Sequence, residues 1–519
     1  MTPRDLMAAF EVLADAPDGV KRLRELVLQL AVRGKLVAQL ESEGAGDDLL
    51  SRIEEHRVRA NQRVAKSDEA AKVEPPFELP ATWSWVRFGD IFDCRLGKML
   101  DKGKNSGQPH RYLRNANVRW GSFDLSDVYE MRLENHELPE VTVRRGDLVV
   151  CEGGEPGRAA VWDNDEPFVI QKALHRARPR LVDSRFYQIH LRLDCSSGRL
   201  SDLFTGATIK HLTGQALTKY LVVLPPLAEQ HRIVARVDEL MALLDRLEAT
   251  RKTSDEVRRA ARDAALAALR DAPDPEAVEA SWNRIAHDMD ALFTEPEDVS
   301  PLRQAIRQLA VAGALTGDDV RHWASTTLGA VLVDGPTNGW SPKAVDHETP
   351  IKTLKLSATT KGYFDPTSFK YVEVDGDLDT RLWLKPEDLL IQRSNTPEYV
   401  GTSAVFDGPP RTFIYPDLMM RCRVAPAHDV RFVHLSLSAP DTRAWIRARA
   451  SGTSQSMVKV NQGTVSSIPL NIPSRETQRR IVAKVDELMA LCDDLEARLI
   501  RARELQAQFA EAAVHHLEV

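Results

Sequence analysis

Cationic side chains gather in two runs of the first half: Lys98, Lys102, Lys104, Arg111, Arg114 and Arg119, then Lys172, Arg176, Arg178 and Arg180. Groups of this kind hold phosphates, although solvated surface charge also produces such clusters. The net charge of −7 at first sight disfavours nucleic acid as a partner. That average hides a partition: residues 81–224 carry +3 and residues 323–472 carry +1, so the remaining, mainly helical, segments carry −11. Weakly basic segments on acidic helices fit local phosphate contact better than wholesale coating of a polyanion.

Catalytic patterns are scarce. There is no GxGxxG or Walker A sequence, and Gly97-Lys98 lacks the upstream glycine and following Ser/Thr of a phosphate cradle. HExxH, GxSxG and the Asn/Asp-Pro-Pro-aromatic tetrapeptide of amino-methyltransferases are also missing. The Gly-rich stretch Glu152–Gly157 lies between Val149-Val150 and Ala159-Ala160, so a hairpin loop is expected there. His515-His516 reads as a frayed end, and no metal site is expected. The five cysteines (Cys94, Cys151, Cys195, Cys422, Cys492) lack CxxC spacing, which predicts reduced thiols and a cytoplasmic location. No signal pattern and no apolar run of membrane-spanning length is seen. The expectation is a non-catalytic chain.

A long repeat must position the basic segments. Arg232–Ala249 returns as Arg480–Ala497, differing only at Arg236/Lys484, Leu244/Cys492 and Arg246/Asp494. A second repeat matches Leu23–Leu36 with Leu302–Leu315 and extends upstream to pair Leu13 with Leu292 and Pro17 with Pro296. Each half therefore reads as short helices, a β-rich insert, then a long helix, which predicts a pseudo-twofold internal repeat. The second half lacks most of Glu41–Glu78, including a predicted helix over Asp47–Lys66.

Pro225-Pro226 and Pro473 mark sharp strand-to-helix junctions, with Ser474 as a predicted N-cap. Ile233, Val237, Leu240, Leu244 and Leu247 step by four and three, and Ile481, Val485, Leu488, Cys492 and Leu495 repeat the pattern. Two such seams are expected to pack on each other as a coiled coil. A helix from Glu229 to Arg270 would span about 60 Å, a scale that suits two half-sites on one duplex. Asp238, Glu239, Asp245 and Glu248 also recur at the same spacing, as a solvated face or a docking face for two identical partners.

The chain resembles the specificity subunit of type I restriction-modification systems. The resemblance rests on Pro225-Pro226-Leu-Ala-Glu-Gln-His-Arg-Ile-Val234 closing a β-rich segment, Trp83-Ser-Trp-Val-Arg-Phe-Gly89, Tyr112-Leu-Arg-Asn-Ala-Asn-Val118, Gly146–Gly154 and Gln171–Arg176. In the second half Asp388–Asn395 and Tyr415–Arg421 are similar to another subtype of the family's recognition domain. The departure is Pro473-Ser-Arg-Glu-Thr-Gln478, where the family usually has Pro-Pro-Leu-x-Glu-Gln.

The resemblance implies an α+β fold: two β-rich α/β target recognition domains separated by a long antiparallel two-helix coiled coil. The expected parts are an N-terminal helical segment (1–78), recognition domain 1 (79–224), a central helix (225–271), a helical linker repeating the N-terminal segment (272–321), recognition domain 2 (322–472) and a C-terminal helix (473–519). The resemblance further implies double-stranded DNA as ligand, each domain reading half of a bipartite, asymmetric target. The helices set the gap and dock two modification subunits that carry S-adenosylmethionine and methylate adenine. Restriction subunits bring ATP and magnesium, and no cofactor is expected on this chain.

Base readout suits Arg or Lys for guanine and Asn or Gln for adenine. In the first domain the candidates are Lys98, Lys102, Arg111, Arg114, Asn115, Asn117, Arg119, Lys172, His175, Arg176, Lys210 and His211. Those from Arg111 to Arg119 alternate along a predicted strand, so only one set can face DNA. In the second domain they are Lys352, Lys355, Lys361, Gln392, Arg393, Asn395, Gln455, Lys459, Asn461 and Gln462. Motif residues such as Asn115 and Glu152 could instead lock loops. The competing readings are a scaffold whose β-rich modules bind protein and, disfavoured by the missing tetrapeptide, a stand-alone methyltransferase.

Overall fold

The computed structural model describes residues 13, 16–59, 76–101, 103, 105–374, 379–454 and 457–518. The chain forms two compact units. One runs up to Lys252 and resumes at Leu505; the other is Thr253–Glu504. The division falls inside both long helices, Leu227–Arg270 and Arg475–Glu518.

In the first unit a leading helix, Gly19–Val32, buries Leu23, Leu26, Val27 and Leu30, the spacing of one helical face. It stops at Gly34, whose φ is +70° and where a Cβ would meet Pro80 Cγ at 2.5 Å, so only glycine turns the chain there. Gly313 repeats this turn after the second leading helix, Val299–Val311, with φ +69°. The extra helix is described over Gly46–Arg59; residues 60–66 of the expected span lie outside the described residues. It buries Leu49 and Ile53, and Ser84 Oγ donates to Asp47 at 2.6 Å, so it is built into its unit.

Both inserts are closed by a two-stranded antiparallel ribbon: Ser84–Arg87 with Leu221–Leu224, and Ala324–Thr327 with Pro469–Ile472. Each insert thus leaves and re-enters its helical frame at one place. The first insert holds the antiparallel sheet Phe92–Leu96, Leu174–Pro179, Leu148–Cys151 and Ala159–Val161. The second repeats it as Leu332–Asn338, Met419–Val424, Leu389–Gln392 and Ser403–Val405. A further four-stranded sheet accompanies each, and within it Phe168–Ile170 runs parallel to Gln108–Leu113 as Phe413–Ile414 does to Ile351–Leu354.

The junctions to the long helices are also duplicated. Gln230 Nε2 donates to Pro225 O while its Oε1 accepts from Asp183 N, at 2.8 and 2.9 Å. Gln478 does the same with Pro473 and Asp429, both at 2.8 Å. The unusual second helix start is therefore harmless: Ser474 Oγ caps Thr477 N at 3.2 Å, and Gln478 keeps its role.

The expected mutual seam is corrected. Ile233, Val237, Leu240 and Leu244 are buried with Leu23, Leu26, Val27 and Leu30 in one core, and Leu247 packs at its edge. Ile481, Val485, Leu488, Cys492 and Leu495 are buried with Leu302, Ile306 and Leu309 in another. Each seam packs on its own leading helix, whose apolar face competes successfully for it. The antiparallel pairing appears elsewhere: Ala510 near the end of the second long helix joins the first core, and Leu266 and Leu269 near the end of the first helix join the second.

The repeated acidic face is likewise engaged within each unit. Arg185 brackets Asp238 at 2.7 and 2.8 Å, Arg24 holds Asp245 and Glu248, and Arg236 pairs with Glu239. In the second unit Arg431 holds Asp486, and Arg303 holds Asp493 and Glu496. Asp238, Asp245 and Glu248 nevertheless stay about half exposed or more. Among the described residues no helix is long and apolar enough to cross a membrane.

Candidate nucleic-acid interface

In the first insert the chain beyond the Leu148–Cys151 strand becomes the hub of a loop cluster. Gly153 bridges to His211, Leu212 N donates to Glu152 O at 2.8 Å, and Glu152 N donates to Ala173 O at 2.9 Å. Asn115 Nδ2 reaches Gly153 O at 3.3 Å, and Lys172 N reaches Lys98 O at 2.9 Å. These bonds bring Lys98, Asn115, Lys172, Lys210 and His211 together from four separate segments. Lys172 and Lys210 are exposed and have no acidic partner among the described residues, so their charge is available to a polyanion. Lys98 is paired with Glu137, and this bond holds the Glu137 carboxyl below the usual range.

The second insert builds the equivalent cluster with different residues. Ser394 pairs with Lys459 and Asn395 with Val458, within a three-stranded sheet completed by Ser451–Ser454. Val460 N donates to Arg393 O at 2.9 Å, and Asn461 Oδ1 caps the following turn through Thr464 N at 2.8 Å. Arg393, Asn395, Lys459, Asn461 and Gln462 therefore share one region, with exposed Met457 beside them. Lys352 sits elsewhere, its Nζ 4.5 Å from the Phe369 ring centre and close to Tyr371 and Phe413. Lys355 and Lys361 are exposed. Lys102 and Gln455 lie outside the described residues.

Four candidates are corrected to structural roles. Asn117 is 2% exposed; its Oδ1 accepts from Arg114 N, and its Nδ2 donates to Asp124 O and Asp127 O, all at 2.9 Å. His175 is buried against Leu212 O at 2.8 Å, and burial pulls its pKa down. Arg176 is buried between Asp93 Oδ2 and Pro139 O, each at 2.9 Å. Gln392 is fully buried, donating to Leu356 O and Thr359 Oγ1 and accepting from Asn395 Nδ2. Buried polar groups need such partners, and groups so satisfied are unavailable to DNA.

Three further arginines are exposed or half-buried but paired: Arg111 with Glu166, Arg114 with Asp127, and Arg119 with Asp124. The Asp127 bond raises the Arg114 pKa. Arg111 also covers the Phe168 ring and Arg114 the Tyr129 ring.

Arg421, which closes the Tyr415–Arg421 motif, and Arg423 explain the Arg176 motif. Arg421 is wholly buried on Asp334 at 2.8 Å, as Arg176 is on Asp93. Arg423 bonds Asp388 as Arg178 bonds Asp147. The Arg-x-Arg spacing at 176/178 and 421/423 was the available signal. Exposed Trp340 and Tyr363 were missed, because their exposure depends on loop paths that carry no periodicity.

Residues 80–256 match the family described as type I restriction modification DNA specificity domain. The chain is 24% identical to the EcoEI specificity subunit of Escherichia coli, over 95% of this chain and 93% of that one. It is 29% identical to the Escherichia coli EcoAI specificity subunit over 58% of this chain and 53% of that one. A solved chain from a study of complex assembly and conformational transition of the type I R-M system shares the fold, with a TM-score of 0.50 at 18% identity, covering 85% of this chain and 99% of that one. The duplicated frame, the two loop clusters and these matches agree: residues 80–256 match the type I restriction modification DNA specificity domain, and nearly the whole chain is similar to a specificity subunit of a type I restriction enzyme.

Proposed function

We propose that each insert reads one half of a bipartite, asymmetric duplex target, and that the long helices set the gap between the halves. The carrying observation is a pair of register-equivalent surfaces with different chemistry. Gly153 opposite His211 in the first insert corresponds to Ser394 opposite Lys459 in the second. An identical frame with divergent side chains is what two different half-sites require. Lys172 and Lys210 hold phosphates, and Arg393, Lys459 and Gln462 reach base edges or the backbone, while the Asn395 amide is held by Gln392 and Thr396.

The helices dock two adenine-methyltransferase subunits, to which restriction subunits add. Exposed Leu505 and Phe509, four residues apart near the end of the second long helix, support a partner-covered surface, since large apolar side chains favour burial. S-adenosylmethionine belongs to the modification subunits, and ATP with magnesium to the restriction subunits; this chain takes no part in the chemistry.

Exchanging residues 79–224 for the corresponding segment of another specificity subunit tests the reading. Mapping methylated adenines in cells carrying the complete system should show one half of the target changed and the other intact. A change in both halves would sink the modular reading. A DNA affinity indifferent to salt would favour the protein-scaffold alternative, because counterion release makes phosphate binding salt-dependent.

A further inference from the structure

We propose that the cavity among the Val299–Val311, Ser357–Thr360 and Pro440–Arg449 helices of the second unit is a binding site for a phosphate group. The cavity is about 270 Å³ and is lined by Arg307, Lys361, Arg443 and Arg447 together with hydroxyls that include Thr402 and Ser438. Among the described residues no carboxylate lines it. Among the described residues Arg307 and Arg447 have no acidic partner, and Arg443 spends Nη2 on Glu398 O at 3.0 Å. That leaves Arg443 Nη1 buried and unbonded. Four cations around one half-open cavity repel each other, and a buried donor without an acceptor carries a desolvation cost. A phosphate oxyanion removes both penalties through charge-assisted hydrogen bonds.

The repeat shows that the fold does not need this charge. Arg307 stands where the first leading helix has Leu28, a buried apolar residue of that unit's core. The helix packs with leucine at this position, so the arginine answers to something other than packing. Beside the lining residue Thr402, a Cβ on Gly401 would meet Ile446 Cγ2 at 2.5 Å and Arg443 Nη1 at 3.1 Å, so glycine leaves room for the guanidinium. Burial and the neighbouring Arg447 press the Arg443 pKa down to about 10, as expected for a cation lacking its counter-charge. The adjoining wider cleft does hold carboxylates, but Asp486, Asp493 and Glu496 are taken by Arg431 and Arg303.

A backbone phosphate of bound duplex and free phosphate offer the same chemistry. The test is thermal unfolding of the full chain in sodium phosphate against sodium chloride at equal ionic strength. Phosphate should raise the midpoint, and R307L and R443M should abolish the gain. R447A, which alters an exposed side chain, should weaken apparent phosphate affinity about tenfold and keeps the test usable if the other variants do not fold. R145A, in the other unit, should retain the full gain. Equal midpoints for the wild type in the two salts, or a gain that survives in both R443M and R447A, overturns the proposal. Saturating duplex DNA separates the sources: a phosphate response abolished by duplex assigns the site to the DNA backbone, and one that persists assigns it to a free ion. A chain that binds no DNA would refute the DNA reading while leaving this test intact.

Discussion

Arg24 donates to Asp245 at 2.6 Å, joining the leading helix to the first long helix across a gap of 221 residues in sequence. The repeat reproduces the pair as Arg303 with Asp493. Both acceptors are largely exposed, so each pair is a clasp over an apolar seam rather than the source of its stability. A double-mutant cycle on R24A and D245N, measured by denaturant unfolding, should give a coupling of about 0.5–1 kcal/mol. A coupling several times larger would mean that the clasp, not the buried seam, holds the helices together.

The buried arginines predict a larger magnitude. Arg176 and Arg421 each hold an aspartate from inside a sheet, so Arg176→Met leaves Asp93 and Pro139 O without their donor. Asp93 stays partly exposed and near Arg95 and Arg180, so the cost is that of a lost buried hydrogen-bond partner, about 1–3 kcal/mol, and Arg176→Met should lower the unfolding midpoint more than Lys172→Met. If Arg176→Met leaves stability unchanged but weakens DNA binding, its assignment as a core residue is wrong.

The contrast between Arg176 and Lys172 shows what the sequence could carry. The order of helix, insert and helix was legible because hydrophobic steps of three and four, prolines at junctions and long identities are one-dimensional signals. The partner of each seam was not, since a heptad reports that a stripe is buried and not by what; the Leu23–Leu30 face met the need. Polar side chains were the least legible. Asn115 and Asn117 differ by two positions, yet one edges a loop cluster and the other is sealed among Arg114, Asp124 and Asp127. A buried amide and an exposed one are the same letter, and only loop closure separates them.

His434 sets a pH dependence. Its Nδ1 lies 3.0 Å from Ser403 Oγ, and burial, with Arg307 and Arg431 adding repulsion, lowers its pKa to about 4. The unfolded chain takes up the proton near the ordinary histidine value, about 6.5. The folded state then binds fewer protons between these values, so stability falls as pH drops from about 6.5 to about 4 and is fully present above that window. The repeat places Gln188 at the equivalent position, so H434Q is a tolerable substitution. Unfolding midpoints from pH 7.5 to 4.5 should decline more for the wild type than for H434Q; parallel curves would remove His434 as the cause.

Lys172 and Lys210 carry the last expectation. Both are exposed, unpaired among the described residues and attached to the loop hub at Glu152–Gly153, whereas Arg111, Arg114 and Arg119 already have acidic partners. A lysine that holds one phosphate releases about one counterion, so each of K172A and K210A should reduce the slope of log affinity against log salt by about 0.9. The loss should be similar across duplex sequences, because a phosphate contact carries no base information. Arg119→Ala should change the slope less, since Asp124 already screens that guanidinium. Gln462→Ala, at an exposed position of the second insert, should instead weaken binding mainly to the cognate half-site and leave the salt slope unchanged, as expected for a group that reads a base edge. Fluorescence anisotropy of the assembled complex with duplexes altered in one half at a time distinguishes the two classes. A slope unchanged in both lysine variants would move the phosphate contacts of the first domain away from this loop cluster.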